Sequence, residues 1–187
     1  MPLILGIALR NNLKGVYISY RYAPEPITDI LVTTFSRYCS DVDKLRDSVQ
    51  KRIAAVGLNP FRYSLSEALA IESKVVKDAH ADVAVFHGIE ILAYSYGNRS
   101  EYISNLYNQV YMFKQEQRII ARVYSVISEE IGRVLASMAD LIIRFVPANN
   151  YQDYVVLVWR RGSKKPVILG SSDIEKCMEE LAQYICK

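Results

Sequence analysis

The feature that most constrains the fold is a set of six short β-branched and aromatic runs: GVYISY (15–20), ADVAVF (81–86), RIIARVYSVI (118–127), ADLIIRFV (139–146), YVVLVWR (154–160) and PVILG (166–170). Runs of this composition and length form strands. Several are apolar at successive positions, without the alternation of a strand that has one face in water. That is the pattern of strands buried on both faces, as in a largely parallel sheet covered by helices.

Helical stripes fill the intervals. Ile27, Ile30, Leu31, Phe35 and Tyr38 share one face, as do Val42, Leu45, Val49, Ile53 and Val56, with Ser40 as cap and Asp43 three residues on. The same spacing recurs at Ile103, Leu106, Tyr107, Val110 and Phe113, and again at Ile174, Cys177, Met178, Leu181 and Ile185. Strands alternating with helices are the mark of βαβ units. The last three strands differ, because only short Pro/Asn and Gly/Ser/Lys connections separate them and such loops are too short for parallel crossovers. The expectation is an α/β three-layer sandwich whose mixed, mainly parallel sheet ends in antiparallel strands. All 187 residues are read as one domain.

Bulk properties exclude some classes. A composition 51% hydrophobic and 23% charged is that of a globular chain and not of a disordered one. The net charge of +3 falls short of the clustered basicity of a dedicated nucleic-acid binder. Cys39, Cys177 and Cys186 make no CxxC pair and no metal-ligand spacing, and their odd number suits a reducing compartment. The opening MPLILGIALRNN lacks a basic n-region and a small-residue cleavage site, and no run approaches the roughly 18 apolar residues of a membrane span. The expected location is the cytoplasm.

The order of segments resembles the RecA-like ATPase domain of the KaiC and RadA type over essentially the whole chain. KGVYISYRYAPEPITDIL (14–31) is similar to that family's second strand and its Pro-containing turn into a helix. ADVAVFHGIEIL (81–92) resembles its Walker B strand, and WRRGSKKP (159–166) its C-terminal hairpin. The resemblance implies a RecA-like fold, yet three catalytic elements depart from it. No GxxxxGK[ST] loop is present to cradle phosphates, and PLILGIALRNN looks like the helix that follows such a loop, so the chain is read as beginning after the phosphate site. Tyr20, Arg21 and Tyr22 occupy the region of the water-orienting glutamate, and none is a carboxylate base. His87 stands at the Walker B aspartate, and a neutral imidazole is a poor ligand for Mg²⁺.

Other groups each carry two readings. His87 at a strand end is either a ligand or, more commonly, a hydrogen-bonded structural histidine, with Glu90 as its nearest acidic neighbour. Glu129/Glu130 and Glu179/Glu180 are adjacent on helices, where neighbours diverge, and read as solvated charge. No GxSxG elbow is present, and two histidines leave few ways to build a nucleophilic relay. Arg160, Arg161, Lys164 and Lys165 form either a phosphate-seeking finger reaching a neighbouring subunit or a basic solvated turn. In the family hairpin Arg161 matches the arginine, whereas Trp159 replaces the lysine. Fourteen tyrosines, clustered near residues 17–22, 94–96 and 102–111, serve interfaces, base stacking or a half-buried core. AYSYGNRSEY (93–102) lies where RecA-family proteins carry a DNA-facing loop, which makes Tyr96 and Arg99 candidate nucleic-acid contacts.

The resulting expectation is a non-catalytic paralogue with no cofactor and no metal. It would act as an accessory or regulatory subunit that binds a RecA-type ATPase or itself, in DNA recombination or repair. The alternative is a nucleic-acid-binding accessory protein working directly through its basic hairpin and tyrosines.

Overall fold

Strand β1 (Gly15–Ser19) is buried at all five positions because it has a strand on either side and helices on both faces. It pairs in parallel with β2 (Ile53–Gly57) on one side and with β3 (Val83–His87) on the other. β3 pairs in parallel with β4 (Ile119–Val123), completing the order β2-β1-β3-β4. The computed structural model describes residues 1–21, 23, 25–91, 99–124, 129–147 and 153–186, and the side chains of residues 25, 26, 99, 129 and 130 lie outside what it describes. The chain divides into two compact units, residues 1–127 with 181–187, and residues 128–180.

In the first unit, α4 (Leu65–Asp78) and α5 (Arg99–Gln115) set Val76 and Phe113 against Val16, Ile18, Ala84 and Phe86. These strand residues lie two apart and therefore share one face of the sheet. Helix α4 starts at a full capping box, in which the Ser64 hydroxyl accepts from the Glu67 amide and Glu67 accepts from the Ser64 amide. Helices α1 (Pro2–Arg10), α2 (Glu25–Ser36) and α3 (Val42–Arg52) pack together. α1 approaches α2 so closely that a Cβ on Gly6 would sit 2.5 Å from the Phe35 ring.

In the second unit, β5 (Leu141–Pro147), β6 (Tyr154–Arg160) and β7 (Val167–Gly170) form an antiparallel sheet in the order β5-β6-β7. Helix α6 (Glu129–Met138) precedes them and α7 (Ser171–Ile185) follows, its last residues from 181 belonging to the first unit. The register puts Leu141, Ile143, Phe145, Val156, Val158 and Val167 on one face. Of these, Leu141 (51%), Phe145 (56%) and Val167 (62%) are largely exposed.

The α/β alternation and the antiparallel C-terminal strands are as the sequence predicts, but four details differ. Instead of one mixed sheet there are two sheets, because β5 to β7 satisfy their ladders among themselves. The stripe read as one helix through Val56 breaks at Arg52, and Ile53–Gly57 is β2. Its two alanines favour helix, but a parallel ladder with β1 pairs the backbone along one edge of the strand, and tertiary pairing overrides the weak local preference. The cap of α3 is Asp41, whose carboxylate accepts from the Lys44 amide at 2.9 Å, and not Ser40. Finally, Cys39 and Cys186 form a disulfide, with Cα atoms 5.6 Å apart, although 147 positions separate them in sequence.

Candidate functional site

In the order β2-β1-β3-β4 the chain winds outward in both directions from the β1/β3 pair. Connections leaving β1 and β3 at their carboxyl ends diverge to opposite sides, and ligands of open α/β sheets bind in the crevice this opens. The described residues there are Ser19, which ends β1, with Tyr20 and Arg21 after it, and His87, which ends β3, with Gly88 and Glu90 after it. Three of them, Tyr20, Arg21 and His87, are the positions that sequence reasoning picked out.

The strand ends are drawn together by backbone hydrogen bonds just past the ladders. The Tyr20 amide donates to the His87 carbonyl at 3.0 Å, the Gly88 amide to Val123 at 3.2 Å, and the Leu58 amide to Ser19 at 2.8 Å. Arg21 then folds across Gly88, and its Nη2 meets Glu90 Oε1 at 2.8 Å. The Glu90 side chain is only 4% exposed and the Arg21 side chain 33%, so the pair neutralises a carboxylate that is nearly out of water. Gly88 is required twice over: its φ is +84°, and a Cβ there would lie 2.7 Å from Arg21 Cγ.

His87 points to the other face of the sheet, where its Nδ1 lies 2.7 Å from the Tyr17 hydroxyl. Burial lowers its pKa, Glu90 opposes that, and Arg21 and the Met1 amino group add to the lowering. The imidazole is therefore neutral at pH 7, and its Nδ1 shares a hydrogen bond with the Tyr17 hydroxyl. Neither Arg21 nor His87 offers a hard anionic oxygen, and the carboxylate beside them is held by a guanidinium.

On the α4/α5 face lies a buried polar network that the sequence reading missed. The Tyr20 hydroxyl donates to Glu72 Oε1 at 2.9 Å, and Arg122 Nη2 donates to Glu72 Oε2 at 3.0 Å. Gln109 donates to Glu72 Oε2 at 2.9 Å and to the Leu69 carbonyl at 3.1 Å, while its own Oε1 accepts from Arg122. The Arg122 guanidinium stacks over the Phe86 ring at 4.5 Å. Burial, followed by the Glu72 charge, pushes the Tyr20 phenol far up, so it remains a donor at every physiological pH. Tyr102 and Tyr124 are also buried phenols raised first by burial; their hydroxyls interact without forming a hydrogen bond of good geometry. A signal was available: Glu72 falls on the stripe Leu65, Ala68, Leu69, Val76, and Arg122 interrupts an otherwise apolar strand. Two opposite charges on facing apolar surfaces predict a buried pair.

The basic hairpin belongs to the second unit. Arg160, Arg161, Lys164 and Lys165 are all exposed. Arg161 Nη2 donates to the Ser137 carbonyl at 3.1 Å near the end of α6, and Nη1 lies 3.3 Å from Asp140. Gly162 takes the turn with φ +83°. Tyr22, Tyr94 and Tyr96 lie outside the described residues; Arg99 opens α5, with its side chain outside them. His80 is exposed. Among the described residues no helix is long and apolar enough to cross a membrane.

Compared with known proteins, the chain matches no protein-family model and no curated protein at a significant level.

Proposed function

We propose that this chain is a non-catalytic, RecA/KaiC-like subunit that acts by binding a RecA-type ATPase or a second copy of itself in DNA recombination or repair. The observation that carries the reading is the Arg21–Glu90 ion pair lying across Gly88. It fills the crevice between β1 and β3 with a self-neutralised pair, where an ATPase needs a free carboxylate for its metal and its water. Among the described residues of the crevice, His87 is neutral and hydrogen-bonded to Tyr17, and the Glu90 carboxylate is paired with Arg21.

A binding role is supported by the second unit, which exposes Leu141, Phe145 and Val167 on one sheet face. An apolar face of that kind suits a protein partner. The test is affinity capture of the tagged full chain from its native extract with and without nuclease, run beside a Mg·ATP turnover assay on the pure protein. Recovery of a RecA-type ATPase that survives nuclease, with no turnover, is the expected result. Turnover by the pure protein would overturn it.

Nucleic-acid binding is the second reading, favoured by Tyr107 and Tyr111, which stand one turn apart on α5 and are 55% and 59% exposed. Exposed rings at that spacing suit base stacking. An affinity for single-stranded DNA no tighter than roughly 10⁻⁴ M at physiological salt would remove this reading.

A further inference from the structure

We propose that Cys39 and Cys186 form a reversible disulfide latch, which fastens the last turn of α7 to the end of α2 when oxidised and frees it when reduced. The pairing geometry resides in the backbone. Their Cα atoms are 5.6 Å apart, inside the range a disulfide spans without backbone movement. Cys39 is held by the turn that closes α2, where the Tyr38 amide donates to Phe35 and the Cys39 amide to Ser36. The Cys186 amide donates to the Ala182 carbonyl and so continues the helix. Both sulfurs are thus presented by local hydrogen bonds that persist when the bond between them opens.

Two further features make this pair a latch and not merely a staple. Both cysteines are half-exposed, within reach of a small disulfide or thiol. Besides the bond, contacts of the last turn include the burial of Leu181, Ala182 and Ile185 and the Arg10 guanidinium, which stacks 4.3 Å over the Tyr184 ring. Terminal turns fray most readily, so the bond is placed where a covalent tie changes local opening most. Cys177, the free thiol, lies nine positions before Cys186, in the second unit.

The chemistry needs an oxidant of the disulfide class, and oxidised glutathione suffices. One cysteine thiolate attacks a glutathione sulfur, forming a mixed disulfide and expelling one glutathione thiolate. The second cysteine thiolate attacks the protein sulfur of that mixed disulfide, forming the Cys39–Cys186 bond and expelling the other. Two electrons pass from the cysteines to glutathione, and the two protons lost by the thiols are taken up by the two glutathione thiolates.

The experiment equilibrates the full chain in glutathione buffers from fully reduced to fully oxidised and back, reading peptide mass mapping and amide hydrogen exchange together. The expected result is a 39–186 linked peptide that appears and disappears reversibly, with exchange over residues 182–186 slowed about tenfold in the linked form. Cys39→Ser and Cys186→Ser should each abolish the difference, and Cys177→Ser should preserve it. Any one of three results overturns the latch: no 39–186 peptide at any poise, arrest at a mixed glutathione disulfide, or a linked peptide whose formation leaves exchange unchanged.

Discussion

Glu72 and Arg122, 50 positions apart, meet at 3.0 Å between α4 and β4 with side chains 0% and 7% exposed. A buried pair of this kind adds little net stability over an apolar pair, yet either charge alone is stranded. Glu72→Leu or Arg122→Met should each cost about 3–5 kcal/mol, and the double variant should recover most of that loss. Urea unfolding of the two single variants and the double variant checks the cycle.

Gly88→Ala combines a left-handed backbone with a side-chain collision. The backbone term alone is about 1–2 kcal/mol for a residue with a Cβ. In an Arg21→Ala/Glu90→Leu background, which removes both the collision at Arg21 Cγ and the carboxylate that Arg21 neutralises, Gly88→Ala should retain only the backbone part. Thermal melts of Gly88→Ala in both backgrounds separate the two contributions.

The pH dependence of stability should carry the signature of His87. Its pKa in the folded state is depressed, first by burial, so between the folded and unfolded values the unfolded chain binds more protons. The contribution is fully present above the unfolded pKa of about 6.5 and is lost as pH falls through the depressed folded value. Denaturant midpoints from pH 5 to 8 should fall on the acid side in the native sequence and flatten in His87→Gln.

Phe145→Glu places a charge on the exposed face of the antiparallel sheet. Because Phe145 is 56% exposed, stability should change by no more than about 0.5 kcal/mol. Capture of a partner ATPase should be lost, and retention of capture would show that this face is not the docking surface.

Reducing the disulfide should lower stability through the unfolded state. Closing a loop across 147 positions predicts up to about 5 kcal/mol on chain-entropy grounds. Melts of the native sequence and Cys39→Ser, each with and without reductant, should converge once the bond is open.

The strand sequences around 15–20 and 81–86 were legible because burial on both faces leaves an unmistakable apolar run. Strand β2 was not, since IAAVG has no local preference for the extended state and exists as a strand only because β1 lies beside it. At the site, Tyr20, Arg21 and His87 were singled out only through a resemblance to the RecA-like domain, as residues that depart from its carboxylates. The partners that give them meaning, Glu72 and Tyr17, required knowledge of which faces the helices cover. The cysteine pairing was illegible for the same reason, as sequence spacing says nothing about two residues joined only by the path of α7.

That path sets a timetable for synthesis. The four parallel strands are complete once residue 123 has left the ribosome, but the turn that closes their unit follows about 60 residues later. At typical translation rates this is a wait of roughly 3–12 s, during which Cys39 stands open without its partner thiol. The disulfide therefore forms only after every strand of the parallel sheet has been made, as a tie added to a sheet already complete.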